Sequence, residues 1–383
     1  MEKVGQAAAM MRKLAGLLGF ALACAWAAER PRGKIVNGLE RLLYVTDKSG
    51  ISVYDIHEDH RLQRRIEIPD SGAYKGISVS VPLERLYVTS NLRDELISID
   101  LKTDAVVWRR KPGRYVDSQA ITPDGKLLYV PIRDEDNWKV VRAEDGETIA
   151  TIPVGRGANY DDSPIGSIGP HNTWMHPSGR RVYLEVLTLP WVFIVDTATN
   201  RIIGKVGPFA KGVRPFTVSD DEKYVFANVD ALLGFEVGAV KNEKDEWGGP
   251  KLYRVEAETP AERLAQIPNP PKRKPHSTPS HGINIRPDQK EVWVVDGVYG
   301  YVFAYDVTVM PPRFVAAVAL FEDPARQPHP GWVSFSLDGR WAYPDGGAVI
   351  DAHTKKVVAR IPTSEKLLEI QFRDGKVTRA GHR

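Results

Sequence analysis

The stretch Gly169 to Val206, GPHNTWMHPSGRRVYLEVLTLPWVFIVDTATNRIIGKV, decides how the rest of the chain is read. It divides into four strand-length runs separated by turns. Asn172 to Met175 precedes the turn His176-Pro177-Ser178-Gly179, and Arg181 to Val186 follows it. Trp191 to Asp196 precedes the polar turn Thr197 to Asn200, and Arg201 to Val206 ends the unit. Short β-branched and aromatic runs bounded by Gly, Pro, Asn and Ser form a β-meander. A lone four-stranded unit cannot bury both of its faces, so it should recur.

Aligning on the first turn recovers it. His176 to Tyr183 matches Ser80 to Tyr87, Thr122 to Tyr129, Ser219 to Phe226, Arg286 to Trp293 and Ser336 to Tyr343. Each places a turn seven residues before an aromatic residue. A third strand then ends near Asp, as in Ile97 to Asp100, Phe193 to Asp196, Phe303 to Asp306 and Val349 to Asp351. The spacing, roughly 40 to 70 residues, is that of propeller blades with insertions. A seventh unit is split. Leu42 to Ile68 supplies strands two to four, and Leu367 to Phe372 supplies a first strand ahead of Arg373-Asp374-Gly375. Pairing the two ends of the chain closes the ring and removes its free edges. The expectation is an all-β, seven-bladed β-propeller with a split closing blade.

The chain of 383 residues then forms one propeller domain from residue 28 to 383, with an inserted loop at about 241–274 that is charged and Pro-rich. Within it, Thr259 to Gln266 has the composition of a helical turn or two. The net charge of +3 is too small for this length to point to a polyanionic partner. Residues 1–27 read as a signal peptide: basic Arg12-Lys13, apolar Leu14 to Ala23, then Ala25-Trp26-Ala27 before Ala28. The apolar run is too short to span a membrane, so the mature chain carries no expected transmembrane helix. Export to the periplasm or the exterior follows. A lipoprotein anchored at Cys24, the sole cysteine, is the alternative. Cleavage after Ala27 leaves no cysteine, which excludes disulfides, thiolate catalysis and cysteine-ligated haem.

Tyr44-Val45-Thr46-Asp47, Tyr87-Val88-Thr89-Ser90-Asn91 and Thr122-Pro123-Asp124-Gly125-Lys126-Leu127-Leu128-Tyr129-Val130 resemble the YVTN-repeat propellers, periplasmic or surface relatives of WD-type propellers. The resemblance covers roughly residues 40 to 375. It implies a secreted propeller with binding roles and fixes neither ligand nor reaction. Related propellers include lactonases.

The first strand of each blade lines the channel, so the residue five before each aligned turn should stand at the channel entrance. Those residues are Lys75, Asp117, His171, Arg214, His281 and Gly331. Five of the six carry charge or bind metals, whereas the strand interiors behind them are apolar. The loops between second and third strands open on the same face and carry Asp47, Asn91, Asp134, Asp230, Asp296 and Asp345; the loop with Asp161 and Asp162 runs into His171.

The leading functional expectation is a binding or scaffold protein that uses this face for a small-molecule ligand or a protein partner. A metal-dependent enzyme is the rival. There His171, His281 and His329 converge on a transition metal (Zn, Cu or Fe), with Asp117 or a loop Asp as oxygen ligand, in an oxidoreductase or a lactonase-type hydrolase. The plainer alternative pairs Asp117 with Arg214 or Lys75 and each histidine with a backbone group. Single-stranded nucleic-acid binding by Lys75, Arg214 and stacking aromatics is a third reading. Trp191 is the aromatic expected to face a ligand. His57, His60, His176, His276 and His353 read as solvated. No G-x-S-x-G, phosphate loop or H-E-x-x-H occurs.

Overall fold

The structure is a computed structural model that describes residues 30–154, 169–266, 278–321, 331–362 and 366–381. Seven antiparallel sheets follow one another along the chain. Blade 1 runs from Tyr74–Ser80 to Val106–Arg110, blade 2 from Ala120–Ile121 to Thr148–Pro153, and blade 3 from Pro170–Met175 to Arg201–Val206. Blades 4, 5 and 6 begin at Val213–Val218, Ser280–Ile285 and Val333–Phe335. In blade 7, Leu367–Arg373 pairs with Leu39–Thr46, which pairs with Gly50–Asp55 and, through it, Arg61–Glu67. The split closing blade is therefore present. No described helix is long and apolar enough to cross a membrane.

Local chemistry explains the repeat. In the turn after the first strand of blade 2, Asp124 accepts from the Thr122 hydroxyl at 2.6 Å and from the Lys126 amide at 3.1 Å. Gly125 takes the left-handed conformation that closes the turn. The same slot is left-handed at Gly179, Glu222, Gln289 and Gly339. The aromatic that follows is buried in every blade: Tyr44, Tyr87, Tyr129, Tyr183, Phe226, Trp293 and Tyr343. A register shift recurs between the third and fourth strands of all seven sheets, as at Ser98/Ile99 and Ile194/Val195. Such a bulge increases local twist, which a propeller blade needs. The core is distributed: seven apolar clusters fill the seven seams between neighbouring blades.

Two readings change. Lys251–Glu256, read as part of the 241–274 insertion, is the fourth strand of blade 4, paired with Gly234–Ala239. Its charged side chains KLYRVE hid it, because a fourth strand lies at the rim and needs only Val255 buried. Ala261–Gln266 is a short helix, in line with the helical composition of Thr259 to Gln266. Lys376–Ala380 adds a strand inside the innermost strand of blade 7, paired with Leu367–Arg373 through the turn Asp374-Gly375. The signal segment 1–27 and Cys24 lie outside the described residues.

Candidate functional site

Register places the entrance residues. In blade 3, Pro170 pairs with Val186 and Asn172 with Glu185, so His171 is the bulged residue. Shifts of the same kind fall at Lys75 in blade 1, at Arg214 in blade 4 and at His281 in blade 5. A bulge frees a residue from the pleat and re-aims its side chain. Four of the expected entrance residues thus sit where the strand breaks its own alternation.

Each side chain is then held by a fixed partner. The Val116–Ile132 bridge sets Asp117 beside Arg133, whose Nη1 donates to Asp117 Oδ2 at 3.0 Å with both residues buried. The Val213–Val229 pair sets Arg214 beside Asp230, and Nε and Nη2 donate to its two oxygens at 2.6 and 2.8 Å. Thr278 Oγ1 donates to the same carboxylate at 2.6 Å. His171 Nδ1 lies 3.0 Å from Glu185 Oε2, which also accepts from the Asn172 backbone and side-chain amides. His281 Nδ1 donates to the Gly331 carbonyl at 2.9 Å. The Gly331 amide donates to Asp345 at 3.2 Å. Lys75 is half-buried on the rim, without an ion pair among the described residues.

The two histidines meet. Their ring centroids are 6.3 Å apart at 65°, across blade 4. A carbonyl only accepts, so His281 carries its proton on Nδ1. Anchoring Nδ1 of one ring by a carboxylate and of the other by a carbonyl is how proteins orient imidazoles for work at Nε2.

Glu185 is the residue that sequence reasoning missed. It is fully buried, and burial pushes its carboxyl up to about 8. The Arg214 charge and the Asn172 hydrogen bonds oppose that shift, and Asp117 adds to it. Its Oε1 has no hydrogen-bond partner among the described residues. Glu185 therefore sits within electrostatic reach of blades 2 and 4 and touches His171 in its own blade. The available signal was a lone acid in the apolar run Arg181 to Val186, one register step from His171.

Asp117 pairs with neither Arg214 nor Lys75. Asp117 and Arg214 each pair inside their own blade, because register puts the end of the second strand alongside them. His176 and His60 are not solvated. His176 is buried, bonded to Ser178 Oγ at 2.6 Å and to the Asp220 carbonyl at 3.0 Å. His60 is buried 2.9 Å from the Tyr343 hydroxyl, and burial holds it down at about 4. Trp191 lies away from the channel, in the outer half of blade 3, with Lys205 Nζ 4.1 Å above its ring. Trp332 is the aromatic beside the entrance, packed on Gly282 and under Lys366 Nζ at 3.7 Å. His329, His276, Asp161 and Asp162 lie outside the described residues. Among the described residues, no group of three or more His, Cys, Asp or Glu is arranged to hold a metal ion.

No protein-family model matches the chain, and no curated protein sequence matches it. Solved structures do. The periplasmic gluconolactonase of Pseudomonas aeruginosa is 15% identical with a TM-score of 0.62, over 89% of this chain and 98% of that one. Hydrazine synthase of Kuenenia stuttgartiensis is 14% identical with a TM-score of 0.58, over 82% and 96%. The dihydro-heme d1 dehydrogenase NirN is 15% identical with a TM-score of 0.56, over 90% and 77%. At such identities the likeness speaks for architecture alone: the chain is a seven-bladed β-propeller.

Proposed function

We propose that this is an exported propeller of the YVTN-repeat kind whose channel-entrance face binds a small polar ligand or a protein partner. The supporting observation is the rim itself. Asp117, His171, Arg214 and His281 come from four blades, and each is held by a side-chain or backbone partner. Locked polar groups on a rigid scaffold are preorganised for binding, because little side-chain entropy remains to be lost. The test is capture of bound partners and co-purifying small molecules by wild type and by an Asp117→Arg, Arg214→Glu double variant. Loss in the variant is expected, and an unchanged set moves the site to another face. Arg214 is buried against Asp230, which weighs against its use on nucleic-acid phosphates.

A second reading is favoured by the anchored imidazoles: a metal-dependent hydrolase of lactone type. His171 and His281 would hold a Zn, Cu or Fe ion through Nε2, with His329 as the further expected ligand. The ion would supply Lewis acidity toward a carbonyl. Glu185 would hold or release a proton next to His171. The gluconolactonase activity of the Pseudomonas neighbour joins this reading by fold analogy only. Stoichiometric metal in protein purified without chelator, lost in His171→Ala and His281→Ala, is the expected result. Metal-free protein sinks this reading and leaves the first standing.

A further inference from the structure

The opposite mouth of the channel holds a cavity of about 420 Å³, within the size range of small-molecule sites. It lies on the axis. The turns after the first strands of blades 1 to 6 surround it, and the added C-terminal strand of blade 7 completes the wall. Trp174, Met175, Ile285, Phe335 and Leu337 make the lining mostly apolar.

Its polar groups differ in one respect. The Asn284 amide is used by Thr217 and the Val333 carbonyl. Gln289 accepts from the Asp220 amide at 2.9 Å, and Ser336 donates to Asp338 at 2.6 Å. Arg379, on the C-terminal strand, lines the cavity with a guanidinium that makes no hydrogen bond or ion pair among the described residues. A cation without a counter-charge beside an apolar axial hollow complements an anion carrying an apolar body. Asp220, also in the lining, disfavours a second negative charge.

We infer that this mouth is a binding site for a small monoanion with an aromatic or branched apolar body, held by Arg379 and the Trp174–Phe335 lining. The site is separate from the entrance reading and uses none of its residues.

A matched pair of probes tests it: 1-anilinonaphthalene-8-sulfonate, a monoanion, and N-phenyl-1-naphthylamine, its neutral counterpart. Fluorescence titration of wild type should give one sulfonate site per chain. Arg379→Gln, an exposed residue whose change leaves the fold intact, should weaken the sulfonate by about tenfold or more, as expected for one charge-assisted hydrogen bond. Binding of the neutral probe should not change. Leu337→Asp should remove both, and His171→Ala should affect neither. Equal sulfonate affinity in wild type and Arg379→Gln, or no saturable binding to wild type, overturns the proposal.

Discussion

The two mouths of the channel are built from the same repeat and spend their charge differently. At the entrance, ion pairs join residues of a single blade: Asp117 with Arg133, and Arg214 with Asp230. At the opposite end they cross seams. Arg181 of blade 3 binds Glu222 of blade 4, Lys355 of blade 6 binds Glu291 of blade 5, and Arg41 of blade 7 binds Asp338 of blade 6. Hydrogen bonds to backbone carbonyls cross seams there too, with His176 reaching the Asp220 carbonyl and Arg286 the Gly339 carbonyl. The ion pairs staple one end between blades, whereas at the other end the buried ion pairs stay within a blade and only hydrogen bonds such as His281 to the Gly331 carbonyl reach the next one.

The strongest way to break this contrast is at Glu369. It is fully buried, accepts from Arg41 at 2.7 and 3.0 Å and from the Leu337 amide at 2.8 Å, and ties blade 7 to blade 6. Glu369→Ala leaves Arg41 facing Asp338 alone and should cost about 3–5 kcal/mol in urea unfolding. A loss below about 1 kcal/mol, the level of an exposed pair, would mean that the seam charges do not staple the ring.

Glu185 comes next, at the entrance. Its folded-state pKa is raised from 4.5 to about 8, so the folded chain keeps a proton that the unfolded chain has lost. Stability must then fall as pH rises through that window, by at most about 1.4 kcal/mol per pH unit from this group. Glu185→Gln should flatten that slope between pH 5 and 8 and be the more stable form at the alkaline end. Parallel slopes for the two proteins would show that Glu185 titrates normally.

Arg214→Gln should be milder, about 1–2 kcal/mol, because Asp230 keeps Thr278 and partial exposure. It also removes a charge that lowers the Glu185 pKa, so the pH-dependent step should move to higher pH. Movement to lower pH would show that Arg214 does not act on Glu185. The smallest effect belongs to Trp191→Ala, on the outer flank under Lys205. About 0.5–1 kcal/mol is expected for a half-exposed cation–π contact, with no change in binding at either mouth. A binding loss there would restore Trp191 as a ligand residue.

The ring, its blade order and its closure were legible because turn, aromatic and terminal Asp repeat at a fixed spacing. That spacing follows from backbone geometry and needs no knowledge of the centre. The entrance positions were legible for the same reason. Their partners were not. Asp117 finds Arg133 and His171 finds Glu185 through hydrogen-bond register and a bulge, which a count of residues from a turn does not reveal. Lys376–Ala380 escaped because it lies inside the ring, where the repeat has no slot for it.

That extra strand and its neighbour Leu367–Arg373 carry a consequence for assembly. The Arg41–Glu369 bond joins residues 328 positions apart, so blade 7 pays its loop-closure entropy last and the ring belongs among slow, non-local folds. Until Leu367–Arg373 arrives, Leu39–Thr46 shows an unpaired apolar edge of the kind that templates aggregation. A chain cut before Leu367 should therefore give insoluble oligomers rather than a smaller ring, as sedimentation of the truncated protein would show.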